Sequence, residues 1–142
     1  MVFNKKNLIV LLTLLLVGIN CTKKIKQQED EIYSRHLQEH IKLTIFSTPI
    51  PEIKNEMNLL ILNDGQDADK LRIKETLDSL YRKKLIKPLL VVAVHAGKRE
   101  DWYGVAGKPD FEKRGGKADK YAAFIDNELY AYIKKKSRRS LL

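Results

Sequence analysis

Apolar positions along this chain change period from stretch to stretch, and each period predicts an element. Ile41, Leu43 and Ile45 alternate with Lys42, Thr44 and Phe46, so Ile41–Ser47 is expected as a strand. Ile32–Leu37 precedes it and predicts an antiparallel pair. Pro49 and Pro51 end the pair, because proline removes a ladder donor. Ile53–Asn58 is a connection. Leu59–Leu62 is a continuous apolar run between two asparagines, the pattern of a strand buried on both faces. Lys70–Lys84 is expected as a helix, with Leu71, Leu77, Leu80 and Tyr81 in one stripe. Pro88 marks the next boundary, and Leu89–Val94 is a second buried strand. His95–Gly116 is a long glycine-rich loop. Ala118–Lys136 is a second amphipathic helix, with Tyr121, Phe124, Ile125, Leu129, Tyr132 and Ile133 on its stripe. Two apolar strands joined by a helix make a βαβ unit. The expected class is α/β: a mixed sheet, antiparallel pair first, with helices on both faces, over residues 31–136.

The first residues follow a different pattern. Lys5 and Lys6 precede a ten-residue run, Leu8–Val17, which has signal-peptide length. A spanning helix needs about 17–25 apolar residues. The run is followed by Cys21, the only cysteine in the chain, so no internal disulfide can form. A lone cysteine directly after such a run resembles a bacterial lipobox, in which the thiol is acylated. That resemblance implies a signal peptide over 1–20 and a polar tether over 21–30. It also implies a lipid bilayer as partner, reached through acylated Cys21, and a lipid-anchored place in the bacterial cell envelope, at the outer or cytoplasmic membrane. The formal charge of the 142 residues is +9. Much of it lies in Thr22–Lys26 and Lys134–Arg139. Basic ends can meet anionic headgroups, nucleic acid is a poor partner for an exported chain, and the plainer reading is a solvated tether and a basic tail over 137–142.

Four segments carry a family resemblance: LLILNDGQD (Leu59–Asp67), LLVVAVHAG (Leu89–Gly97), REDWYGVAG (Arg99–Gly107) with DFEKRG (Asp110–Gly115), and RGGKADKYAAFIDNELYAYI. Their order resembles the front half of the Putative esterase family, the esterase-D and enterochelin-esterase-like branch of the α/β-hydrolases. The resemblance implies serine-dependent hydrolysis of carboxylic esters on a partial α/β-hydrolase sheet. In that family the next element carries the G-x-S-x-G nucleophile elbow, whereas this chain reads KKKSRRSLL and stops. Expected, therefore, is a truncated esterase-like domain, inactive alone, with an ester substrate only if the missing half is supplied. Leu59–Leu62 should then stand at a bare sheet edge. The alternative is a membrane-tethered binding half-domain that pairs this strand with a partner or with itself.

The best site candidate is the loop after Leu62. In α/β-hydrolases one oxyanion donor is a backbone N–H of such a strand-to-helix loop, and the resemblance places it within Asp64, Gly65 and Gln66. A tight turn with Asp69 capping the next helix is the competing reading. His95, Trp102 and Tyr103 are candidates for a pocket rim. No catalytic residue is assigned: Ser34, Ser47, Ser79, Ser137 and Ser140 all lack a G-x-S-x-G setting. No metal or cofactor is expected. Asp64 and Glu75 stand at positions 1 and 12 of an EF-hand-like frame, but the glycine at position 6 and the ligands at 3 and 5 are wrong. His36 and His40 have the i,i+4 gap without the adjacent Glu of a zinc helix, and they fall in a predicted strand. Gly107-Lys108 and Gly116-Lys117 lack the rest of a phosphate-binding loop.

Overall fold

The computed structural model describes residues 24–49, 58–105 and 107–139. The expected signal peptide over 1–20, Cys21 and Ser140 lie outside them. The first strand, β1, runs Lys26–Ser34 and pairs antiparallel with β2, Glu39–Ser47, from Lys26↔Ser47 to Ser34↔Glu39. The expected tether is therefore shorter than 21–30, since Lys26–Asp30 is strand. Its sequence, KQQED, has no apolar alternation to announce this; cross-strand pairing holds it in place. Arg35–Gln38 form the turn, so Leu37 and His36 leave the strand that the alternation predicts.

Strand β3 is Asn58–Asn63, and β4 is Leu89–Val94. They pair in parallel, β4 also pairs antiparallel with β2, and the sheet order is β1-β2-β4-β3. The helix between them, α1, runs Ile73–Arg82. It starts later than Lys70 because the chain first turns through Asp69–Arg72, closed by an Arg72 N–H to Asp69 carbonyl bond of 2.9 Å. Asp69 does not cap the helix. The position before Ile73 is Arg72, in a left-handed conformation without a side-chain cap. Leu71 thus lies off the packing stripe and is 60% exposed.

The loop after β4 contains a single helical turn, α2, Arg99–Trp102. The last helix is continuous in three parts: α3, Ala118–Ala123; a π segment, Phe124–Leu129; and α4, Tyr130–Arg139. Each face of the sheet has its own core. Ile41, Leu43, Ile45, Val92 and Val94 pack against Trp102, Tyr121, Phe124, Leu129 and Ile133. On the other face, Phe46, Val91 and Ala93 pack against Ala68 and Leu77. This is the expected mixed sheet covered on both faces.

The π segment is needed for that packing. Among the described residues the buried positions of the long helix are Ala118, Tyr121, Phe124, Leu129 and Ile133. The step from 124 to 129 is five residues, the i→i+5 bonding span of a π-helix and well over one turn of an α-helix. The wider turn also sets Glu128 under the β1–β2 hairpin. Its carboxylate accepts the Ser34 hydroxyl at 2.7 Å and the Arg35 N–H at 3.0 Å. Further along, Tyr132 donates to Asp30 at 2.5 Å and Lys136 pairs with the same carboxylate, fastening α4 to β1.

The two edges of the sheet differ. β1 carries Lys26, Glu29, Asp30 and Glu31, charges of the kind that discourage edge pairing. β3 carries NLLILN, and Leu60 is 47% exposed. Among the described residues nothing pairs with its outer side.

Candidate functional site

At the carboxyl ends of β3 and β4 the chain makes two consecutive turns, the usual place for α/β sites. Asp64 leaves β3 in the left-handed region (φ 59°), and Gly65–Asp67 form a 3-10 turn. Asp67 N–H bonds the Asp64 carbonyl at 2.9 Å, and Ala68 N–H bonds that of Gly65 at 3.1 Å. The turn therefore makes no use of the N–H groups of Gly65 and Gln66, as expected for a first turn. Gly65 is buried. A Cβ there would lie 2.7 Å from the carbonyl carbon and oxygen of Ala93 and 2.7 Å from Cδ2 of His95. Only glycine lets this loop lie so close to β4.

Side chains lock the turn from outside. Gln66 bridges it to the residue after His95: its amide donates to Asp64 Oδ1 at 3.1 Å, and its oxygen accepts the Ala96 N–H at 3.0 Å. Asp64 also meets Arg99 at 3.2 Å and the Tyr103 hydroxyl at 3.4 Å. Below it, the Tyr121 hydroxyl donates to Asn63 at 2.6 Å. Tyr121 stacks on Trp102 with ring centres 5.5 Å apart, and Tyr103 meets Tyr121 edge-on at 5.5 Å. Burial, and then the charge of Asp64, push the Tyr103 phenol above its ordinary 10.0. Burial, and then Tyr103, push Tyr121 far above the same value. Both rings stay neutral and serve as donors at physiological pH.

The structure thus brings together Asp64, Gly65, Gln66, His95 and Tyr103. Trp102 is different. It is 1% exposed, a core residue beneath the loop rather than part of a rim, and its Nε1–H has no acceptor among the described residues. Tyr103 does line an open pocket of about 320 Å³, with Arg99, Glu100, Val105, Lys108, Asp110 and Arg114. Its arginines are already paired, Arg99 with Asp64 and Arg114 with Asp110 and Glu112.

Ser34 is fully buried. It donates to Glu128 and accepts the Leu37 N–H at 3.0 Å, so its hydroxyl is committed to the hairpin. His36 sits in the turn, not on a strand, and His40 pairs with Glu31 at 3.1 Å. Among the described residues no three His, Cys, Asp or Glu side chains converge on a metal position. Thr44 was not singled out by its sequence context, yet its hydroxyl lies 2.7 Å from Nε2 of His95. The signal was its place on the polar side of the Ile41–Ser47 alternation.

The family described as Putative esterase matches residues 34–140. The chain belongs to this family. No curated protein matches it. Among solved structures, it is similar to the enterobactin esterase of Shigella flexneri determined in the presence of enterobactin, with TM-score 0.63 and 18% identity over 84% of this chain and 29% of that one. It is also similar to an IroE-like serine hydrolase from Shewanella oneidensis, with TM-score 0.60 and 23% identity over 78% of this chain and 39% of that one. A third is the BES protein of Bacillus cereus, with TM-score 0.58 and 18% identity over 84% of this chain and 48% of that one. These likenesses concern the fold. This chain spans less than half the length of each of the three.

Proposed function

We propose that these residues form the oxyanion-loop half of a carboxylic-ester hydrolase site and, by themselves, turn over no ester. The carrying observation is the Asp64–Gln66 turn, pressed onto β4 through Gly65 with two N–H groups its own bonding does not use. Acyl transfer also needs a nucleophile and a base that activates it. No G-x-S-x-G occurs in the sequence, and Ser34 is held by Glu128. The test is labelling with a fluorophosphonate together with turnover of p-nitrophenyl acetate. The expected result is no labelled serine and hydrolysis at the buffer rate. A labelled serine with turnover above buffer would overturn the reading.

We also propose that the chain is held at a bacterial membrane by acylation of Cys21, on the strength of the Leu8–Val17 run directly before it. Stable anchoring takes two or more chains. A palmitate analogue should label the wild type and not Cys21→Ser; equal labelling of both would refute it.

A second reading is favoured by the bare edge of β3. Asn58 N–H bonds Pro88, so the main-chain groups of Leu59, Ile61 and Asn63 face outward. We propose that this strand pairs with a second copy. Sedimentation should show a dimer that Leu60→Lys converts to monomer; a wild-type monomer at high concentration would refute it.

A further inference from the structure

The sheet face that carries Phe46, Val91 and Ala93 also holds a three-residue polar relay that the esterase reading does not use. Glu29 lies directly opposite Thr44 in the β1–β2 register, and Thr44 lies opposite Ala93 in the β2–β4 register. Directly opposite residues share a face, as do residues two apart on a strand. His95, just past the end of β4, continues that face, held by its N–H to the Lys42 carbonyl at 3.0 Å. The Thr44 hydroxyl donates to Glu29 at 2.9 Å and lies 2.7 Å from His95 Nε2.

The chemistry of the groups gives this chain a direction. A carboxylate at neutral pH only accepts, and threonine has one proton to give. With that proton on Glu29, the Thr44 oxygen must accept from His95, so Nε2 carries the hydrogen. The Cδ2–Nε2 edge of the ring is turned inward: Cδ2 is the atom a Gly65 Cβ would strike, and Nε2 meets Thr44. The other ring nitrogen, Nδ1, keeps its lone pair. Among the described residues no group donates to it, and it is not a buried atom lacking a partner.

We propose that Glu29 and Thr44 are positioning residues that fix His95 as the Nε2–H tautomer, so that Nδ1 is a standing hydrogen-bond acceptor beside the Asp64–Gln66 turn. It takes a ligand hydroxyl or N–H donor. The inference does not depend on ester hydrolysis. It would hold equally for a binding module.

The test is long-range ¹H–¹⁵N correlation spectroscopy on the labelled full chain, with His95 resonances assigned by their loss in His95→Gln. The wild type should show a pyrrole-type Nε2 and a pyridine-type Nδ1 at His95. Thr44→Ser keeps the hydroxyl and should preserve that pattern. Thr44→Val should give a mixture of tautomers. Glu29→Gln, a change at an exposed side chain that leaves the core intact, should do the same, because an amide can offer Thr44 either an acceptor or a donor. Phenol should then move the wild-type Nδ1 resonance, and anisole, which has no donor, should not. A proton on Nδ1 in the wild type would overturn the proposal. So would an unchanged tautomer in both Thr44→Val and Glu29→Gln, or equal responses to phenol and anisole.

Discussion

Replacing Gly65 by alanine tests the close approach on which the whole site geometry rests. The added methyl would sit 2.7 Å from the Ala93 carbonyl carbon and oxygen and 2.7 Å from His95 Cδ2. Two of these three atoms are main chain in a central strand and cannot swing aside, so either the loop lifts or His95 moves. Overpacking of this kind costs about 1–3 kcal/mol. Displacing His95 adds roughly 0.5–1.5 kcal/mol for its bond to Thr44. Lower entropy of the unfolded alanine chain returns roughly 0.4–1 kcal/mol. The net expectation is a destabilisation of about 0.5–4 kcal/mol, centred at about 2, read as a lower urea midpoint at unchanged slope. Gly116→Ala is the control. Its Cβ would meet only the Lys113 carbonyl, at an ordinary 3.7 Å, so its midpoint should stay within about 0.5 kcal/mol of wild type. If Gly65→Ala matches that control, the loop is not pressed onto β4 and the argument fails.

Other expectations concern the clamps. Burial works against the charge of Glu128, but the Ser34 hydroxyl and the Arg35 N–H outweigh it and hold the carboxyl below its ordinary 4.5. Its contribution is therefore full above that value and is lost as pH falls through the lowered folded value; Glu128→Gln should flatten the acid limb of a stability–pH curve, and an unaltered limb would count against the hairpin clamp. The Tyr103 and Tyr121 phenols shift the other way, so their contribution is full below pH 10.0 and is lost as pH rises. Phenolate absorbance should show both titrating above the exposed tyrosines, with Tyr121→Phe removing the later step. Tyr132→Phe removes one of the two bonds from α4 to Asp30 and should cost about 1 kcal/mol in urea unfolding; no change would mean that Lys136 alone secures α4 to β1.

Much of the architecture could be read from the sequence, and the reasons are local. Leu89–Val94 is apolar without interruption because β4 is a central strand covered on both faces, whereas Leu59–Leu62, read by the same pattern as buried on both faces, is the edge strand β3 and stays exposed or half-buried along its length. Ile41, Leu43 and Ile45 alternate because only their side of β2 faces the long helix. The position of the Asp64–Gln66 turn was also legible, from a glycine between polar residues after an apolar run. What could not be read depends on register. Glu29 lies in a polar stretch whose composition predicts a tether, and nothing near it in sequence points to Thr44 or His95. Trp102 looks like a rim residue in a glycine-rich loop until α2 turns it inward beneath Tyr121. Leu71 satisfies the helical spacing but precedes the helix, because Arg72 takes a left-handed conformation that spacing does not reveal.

The six residues Phe124–Leu129 act as a phase shifter. An α-helix advances about 100° per residue, so the extra residue in the wide turn rotates everything after it by that amount relative to what comes before. The first half of the rod can thus point Tyr121 at Asn63 while the second half points Tyr132 and Lys136 at Asp30. Deleting the exposed Asn127 would close the wide turn into a regular α-helix with Phe124 and Leu129 four residues apart, so both would stay on the packed face and both ends of the rod would keep their targets. Length along this helix is therefore a coordinate of rotation as well as of reach, and a single-residue deletion within Phe124–Leu129 should be better tolerated than one in Ala118–Ala123 or early in Tyr130–Arg139.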